Sequence, residues 1–171
     1  MTNGSLQSLF RHFNLPPHRL YQFRLAFEDT QAKGALKVMG DDVAQKLGAD
    51  IILPVAGPVG LGSAAVCKET GNCKVIGVDA DWYETAAEFK EIVLTSVLKK
   101  IDVAVFNTAK DTIDGNFTSG AVVYALADGG VDIAPFHDFD GAVSAELKAE
   151  VEQLKADIIS GAVTVDGALA P

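Results

Sequence analysis

Short, continuous apolar runs that alternate with amphipathic segments are the feature of this sequence that most constrains its fold. The runs ADIILPVA and KVIGVD are typical of strands that are covered on both faces of a parallel sheet. The segments between such runs place apolar residues three and four positions apart, as a helix with one buried face does. This ordering, with short turns between elements, predicts an α/β fold with a mostly parallel sheet flanked by helices.

The same patterns predict individual elements. Strands are predicted over residues 20–27, 49–56, 74–79, 92–96, 120–126 and 131–136. Helices are predicted over residues 30–47, 63–70, 97–114 and 144–160. Ser144 is the expected cap of the last helix, and Gly161 its left-handed stop. Residues 80–90 are predicted to be a loop with at most a helical turn, and residues 1–20 a leader without a clear period.

Composition excludes several classes of function. The chain has 171 residues, 49% of them hydrophobic, which is enough for a real core and unlike a disordered protein. A net charge of −9 argues against a nucleic-acid partner, because such a surface repels phosphate. No apolar run is long enough for a membrane span, and the first residues lack the pattern of a signal peptide. A complete chain with these features is expected in the cytoplasm.

The only two cysteines, Cys67 and Cys73, fall near a predicted helix end. A local bridge across Gly71 is open in an oxidising compartment, but two ordinary thiols are the favoured expectation. A zinc site is not expected, because no histidine lies near them in the sequence.

Three segments place special residues after predicted strands, where ligands bind in open α/β sheets. GPVGLG, which begins at Gly57, allows close backbone approach to a ligand, although a plain tight turn explains it equally well. Asp79 follows KVIGV and can accept two hydrogen bonds from a sugar diol, or simply cap a helix. Lys99 is expected in a first helical turn, where the dipole disfavours a cation, which suggests a partner such as a ligand oxygen or Asp79.

Catalytic patterns are weak. Asp81 lies two residues beyond Asp79, which is poor evidence for a metal pair. Trp82 is expected either to stack on a ligand or to cover the rim of a cleft. His137 follows a predicted strand and is interpreted as structural, since no histidine lies beside a plausible nucleophile. We therefore expect neither an enzyme nor a cofactor.

With these residues identified, the sequence resembles the basic membrane protein family, whose best-known members are purine nucleoside receptors serving ABC-type importers. The matching motifs are VAG-x-x-G-x-G, GVD-x-D and LTS-x-x-K, in that order. The similar stretches extend over residues 27–165 and include AFEDTQAKG and GAVVYALADGGVDIAPF.

The resemblance implies a type I periplasmic-binding-protein-like fold, with two α/β lobes that close on a nucleoside. It implies that Phe27 stacks on the purine base, that Asp79 and Lys99 bind the ribose hydroxyls, and that the backbone near Gly57 lines the pocket. Glu28 and Trp82 are further candidates for ligand contact. A membrane ABC permease is the implied partner, and the implied location is the cell surface or periplasm, as a lipoprotein.

The sequence departs from the family in several ways. The first lobe and the lipoprotein signal have no counterpart, residues 1–20 do not match, and Trp82 stands where a glutamine is common. By the resemblance, residues 97–117 belong to the lobe without a counterpart, and the rest of residues 21–171 to the second lobe. Two alternatives stay open: a nucleotide-binding α/β enzyme with GPVGLG as its phosphate loop, and a degenerate fragment that binds nothing.

Overall fold

Five strands form one sheet in which each strand is hydrogen-bonded to its neighbours in the sequence. The computed structural model describes residues 20–23 and 49–165. The strands are β1 (Leu20–Phe23), β2 (Ile51–Pro54), β3 (Lys74–Asp79), β4 (Val93–Lys99) and β5 (Val131–Ile133). The first four are parallel and β5 is antiparallel to β4. The predicted mostly parallel α/β sheet is therefore confirmed, while the helix predicted over residues 30–47 lies outside the described residues.

Four α-helices accompany the sheet in the described part of the chain. They are α1 (Leu61–Thr70), α2 (Trp82–Thr85), α3 (Ile101–Ile113) and α4 (Ala145–Ser160). Short 3₁₀ segments cover Gly57–Gly60, Ala87–Ile92 and His137–Ala142. None of the helices within these described ranges is both long and apolar enough to cross a membrane.

The core lies between the sheet and the helices that follow β2 and β3. Ile52, Val75 and Val93 pair in register across β2, β3 and β4, and all three are buried. Ala64 and Val66 of α1 are buried in the same apolar cluster. Alternate residues of β2 and β3 are fully buried and those between them are half-buried up to Gly77, so one face of these strands is covered more completely than the other.

Three helix ends confirm the sequence interpretation. The Ser144 side chain accepts a hydrogen bond from the Leu147 backbone N–H and caps α4. Gly161 ends that helix in the left-handed conformation, with φ of 78°. Gly71 ends α1 in the same way, with φ of 67°.

The two cysteines correct one expectation. Cys67 and Cys73 form a disulfide with a Cα–Cα distance of 4.8 Å, so the preference for two free thiols was wrong. Both residues are buried, because the chain reverses at Gly71 and returns directly to the edge of the core. The bridge therefore ties the end of α1 to the residue that precedes β3.

Two other predictions were wrong. Residues 97–99 were assigned to a helix but continue β4, where Val97 pairs with Val78 on one side and Ile133 on the other. Residues 120–126 were assigned to a strand but belong to no strand of the described sheet. The predicted strand over residues 131–136 is present but shorter, ending at Ile133.

Candidate functional site

Asp79 and Lys99 meet at one edge of the sheet. Each is the last residue of its strand, and β3 and β4 are parallel neighbours whose carboxyl ends share that edge. The Lys99 Nζ lies 2.9 Å from the Asp79 Oδ1, and the two side chains are 64% and 53% exposed. The acid and the amine singled out in the sequence are thus joined in an ion pair that remains open to solvent.

Asp79 adopts a backbone conformation that L-residues seldom use. Its φ is 69°, and the Ala80 backbone N–H donates to the Val78 carbonyl at 2.8 Å, which makes a three-residue γ-turn centred on Asp79. A non-glycine residue held in this region costs about 1–3 kcal/mol, and such residues cluster at binding and catalytic sites. The surrounding structure therefore holds this carboxylate at a definite angle at the end of β3.

The position of Lys99 differs from the one that the sequence predicted. It closes β4, whereas α3 begins two residues later with Lys100 as its N-cap, so Lys99 is not in a first helical turn. The helix-dipole argument was therefore wrong for this residue. The partner that the argument suggested is nevertheless present, since Asp79 pairs with it.

The segment that begins at Gly57 follows β2 at the same edge of the sheet. It forms the 3₁₀ turn Gly57–Gly60 and runs directly into α1. Gly57 has φ of 52°, and a Cβ there would meet nothing within 4 Å, so the glycine serves the backbone conformation and leaves open space beside it. Gly60, by contrast, is buried, and a Cβ there would lie 2.9 Å from the Pro54 carbonyl oxygen.

Trp82 lies in the core, with 5% of its surface exposed. Its indole Nε1 donates to the Val78 carbonyl at 3.0 Å, and its backbone N–H donates to the Ser96 Oγ at 3.0 Å. A Cβ at Gly77 would lie 2.6 Å from the indole Cγ, so the ring rests directly on the β3 backbone. Trp82 was expected either to stack on a ligand or to cover the rim of a cleft. Within the described residues, its ring and its polar atoms contact the protein itself.

Asp81 is fully engaged by protein groups. Its Oδ1 accepts from the Tyr83 backbone N–H and caps α2, and its Oδ2 lies 2.7 Å from the His137 Nε2. The His137 and Tyr83 rings stack with centroids 4.0 Å apart. This cluster ties α2 to the segment after β5, which agrees with the structural interpretation of His137. No local pattern predicts the contact between Asp81 and His137, because the two residues are 56 positions apart.

Two pKa shifts accompany neighbouring contacts. The hydrogen bond from the Tyr83 hydroxyl to Asp138 is the largest of the effects that raise the pKa of Tyr83. The hydrogen bond from the Lys155 Nζ to Asp132, at 2.8 Å, is the largest of those that lower the pKa of Asp132. The second contact fastens α4 to β5, the strand beside Lys99.

Phe27 and Glu28 lie outside the described residues. Among the residues that the structure describes, no three His, Cys, Asp or Glu side chains are grouped so that they could hold a metal ion. The ion pair of Asp79 and Lys99 is the part of the candidate ligand site that lies within the described residues and carries charge.

Comparison with protein families gives one match over most of the chain. The model of the Bmp family, described as PnrA-like ABC transporter substrate-binding protein, matches residues 36–167. The matched region contains β2 to β5 together with Gly57, Asp79 and Lys99.

Curated relatives are longer than this chain. The nucleoside-binding protein BmpA of an ABC transporter in Lactococcus lactis is 36% identical over 133 residues, which are 69% of this chain and 36% of that protein. An uncharacterized lipoprotein of Pyrococcus abyssi is 30% identical over 151 residues, 82% of this chain and 34% of that protein. The chain thus spans about a third of the length of these relatives.

Solved structures support the fold. A protein of Bacillus halodurans, titled a transcriptional activator of the comK gene, superposes with a TM-score of 0.67 at 24% identity, over 82% of this chain and 46% of that one. An ABC transporter solute-binding protein of Aeropyrum pernix gives 0.61 at 24% identity, over 79% and 44%. The expected fold, a mostly parallel sheet flanked by helices like that of type I periplasmic binding proteins, is confirmed.

Proposed function

The chain belongs to the PnrA-like family of ABC transporter substrate-binding proteins, and from this membership we propose that it contributes to the binding of a purine nucleoside for import. The observation that carries the proposal is the ion pair of Asp79 and Lys99 at the carboxyl edge of β3 and β4. The family is one of binding proteins rather than enzymes, so capture and release, with no bond made or broken, is the activity proposed.

The chemistry of the ion pair suits a sugar diol. A carboxylate accepts two hydrogen bonds in parallel, and an ammonium group donates up to three. Both side chains are more than half exposed, so vicinal hydroxyls can reach them from solvent without first breaking a buried contact. Hydrogen bonds to charged groups are stronger than neutral ones, which favours ribose as the part of the ligand held here.

The open space at Gly57 supports the second part of the site. A backbone without a side chain at this position lets a flat ligand approach the turn after β2. We assign to Phe27 the role of stacking on the purine base, because an aromatic face suits a purine. Glu28 is proposed as an additional polar contact from the same segment.

The exposed face of α3 supports the assignment of the helical part of residues 97–117 to another lobe, whereas residues 97–99 belong to β4 of this sheet. None of the residues of α3 is buried, and Ile101, Val105 and Phe106 are 60%, 62% and 68% exposed. Apolar side chains in such a group are typical of a surface that another part of a protein covers. We propose that the complete receptor consists of two lobes and delivers its ligand to a membrane ABC permease. We propose the cell surface or periplasm as its location, with a lipid anchor.

Titration calorimetry of this chain with guanosine, adenosine and inosine tests the proposal. At least one nucleoside should bind more tightly than about 1 mM, which corresponds to about 4 kcal/mol. Asp79→Asn should weaken that binding by roughly 10- to 150-fold, because a hydrogen bond to a charged group contributes about 1.5–3 kcal/mol. Asparagine tolerates the left-handed backbone, so the turn is kept.

Asp111→Asn is the matched control, because Asp111 is an exposed carboxylate on α3 and should leave the affinity unchanged. Equal affinity of the wild type and the Asp79 variant would place the ligand elsewhere. Tighter binding of guanosine monophosphate than of guanosine would favour the nucleotide-binding enzyme instead. No binding of any nucleoside would support the fragment that binds nothing.

A further inference from the structure

We infer that Trp82 is a positioning residue for ligand binding, which holds the Asp79 turn so that its carboxylate faces Lys99. The inference rests on the proposed nucleoside site but concerns a residue that does not itself need to touch the ligand. It begins from the strained turn, because a γ-turn centred on a non-glycine residue persists only where neighbouring groups hold it.

The group that holds the turn is the indole of Trp82. The Val78 carbonyl, which accepts the Ala80 N–H that closes the turn, also accepts the indole N–H at 3.0 Å. A buried carbonyl with two donors is fixed in direction. Any rotation of the peptide between Val78 and Asp79 would break both bonds and leave the indole N–H unpaired in the core.

The indole is in turn fixed to the sheet. Its ring lies between two glycines, so that a Cβ at Gly77 would meet the indole Cγ at 2.6 Å and a Cβ at Gly60 would meet its far edge at 3.1 Å. The Trp82 backbone N–H is anchored by the Ser96 hydroxyl, which is fully buried on β4. The direction of the carboxylate is thus set through a chain of contacts from β4.

The hydrogen bond of the Trp82 indole can be tested separately from the packing of its ring in the core. Phenylalanine at position 82 keeps most of the ring and removes the indole N–H, so Trp82→Phe leaves the Val78 carbonyl with a single donor. Ser96→Ala removes the second anchor with little change of volume and provides an independent variant should Trp82→Phe fold poorly. Val66→Ala, in the buried part of α1, weakens the core without touching the turn.

Amide hydrogen exchange tests the turn without any ligand. The Ala80 N–H should exchange at least ten times faster in Trp82→Phe and in Ser96→Ala than in the wild type. The Lys74 N–H, which donates to the Asp50 carbonyl at the opposite end of β3, should keep its rate. Unchanged exchange at Ala80 would overturn the positioning role whatever the ligand data show.

Guanosine titration then tests the link to binding. Trp82→Phe should bind guanosine at least tenfold more weakly than the wild type, whereas Val66→Ala should stay within twofold. Because Trp82 is the single tryptophan, one indole N–H resonance should move when guanosine is added to the wild type and stay in place in Asp79→Asn.

The outcomes separate the two proposals. Normal guanosine affinity in Trp82→Phe, with the wild type binding, overturns the positioning role and leaves the nucleoside site intact. Failure of the wild type to bind guanosine, adenosine or inosine overturns the proposed function, and the part of the inference that concerns binding falls with it.

Discussion

Loss of the bridge between Cys67 and Cys73 should destabilise the chain by about 2 kcal/mol. The two residues are six positions apart, so the bridge closes a short loop around Gly71. The loop-closure relation gives about 8 cal/mol/K for a loop of roughly seven residues, or about 2.4 kcal/mol at 25 °C. For a chain of this length that corresponds to a fall in Tm of about 5–10 °C.

Urea unfolding followed by the emission of Trp82 measures this effect, because the ring is buried and is the single tryptophan. The oxidised chain should be compared with chain that has been reduced in urea and refolded in reductant, since both cysteines are inaccessible in the folded state. The two forms then differ only in the bridge. A double Cys→Ala variant should lose somewhat more stability, because two buried sulfurs are removed as well.

Two results would refute the reasoning. Equal free energies of unfolding for oxidised and reduced chain would show that closing this loop does not constrain the unfolded state. Two titratable thiols in the oxidised, urea-unfolded chain would show that the bridge does not form. Only the second result would return Cys67 and Cys73 to the free thiols that the sequence favoured.

Two further predictions follow from the core and from β5. Gly77→Ala should lose about 1–3 kcal/mol in urea unfolding because its Cβ would lie 2.6 Å from the indole Cγ, whereas Gly141→Ala, which meets nothing within 4 Å, should unfold like the wild type. The hydrogen bond from Lys155 lowers the pKa of Asp132, so its stabilisation is present above the ordinary carboxyl pKa and is lost as pH falls through the lowered value. Between pH 5 and 2 the wild type should therefore lose more stability than Asp132→Asn, and parallel pH profiles would contradict this.

The bounds of an element were predicted correctly where the residues that start and end it lie at its own ends. The strand over residues 74–79 has the bounds that were predicted, because a continuous apolar run stands between polar turns. The helix after Ser144 was placed equally well, since its cap and the stop at Gly161 are both local. Asp79 was found in the sequence because it ends a predicted strand, where ligands bind in open α/β sheets. Lys99 was singled out by a helix-dipole argument that does not apply to it, because it ends β4.

The errors arise where the outcome depends on distant partners. Val97 and Ile101 are four residues apart and suit a helical stripe, yet pairing with β3 and β5 keeps Val97 in a strand. Residues 120–126 have strand-like composition but belong to no strand of the described sheet, and nothing local to that segment distinguishes it from a strand. The indole of Trp82 became a support for the Asp79 turn only through Gly77 and Ser96, which no spacing rule connects to it.

The order of the strands has a consequence for how the chain is made. Because β1 to β5 lie side by side in the sequence order, the strand with which each of β2 to β5 pairs first has already been synthesised when that strand leaves the ribosome. Sheets in which sequential strands are separated must instead leave a gap until a later strand fills it. Within the described residues, β2 to β5 can therefore join the sheet one after another, each at the edge that the preceding strand leaves open.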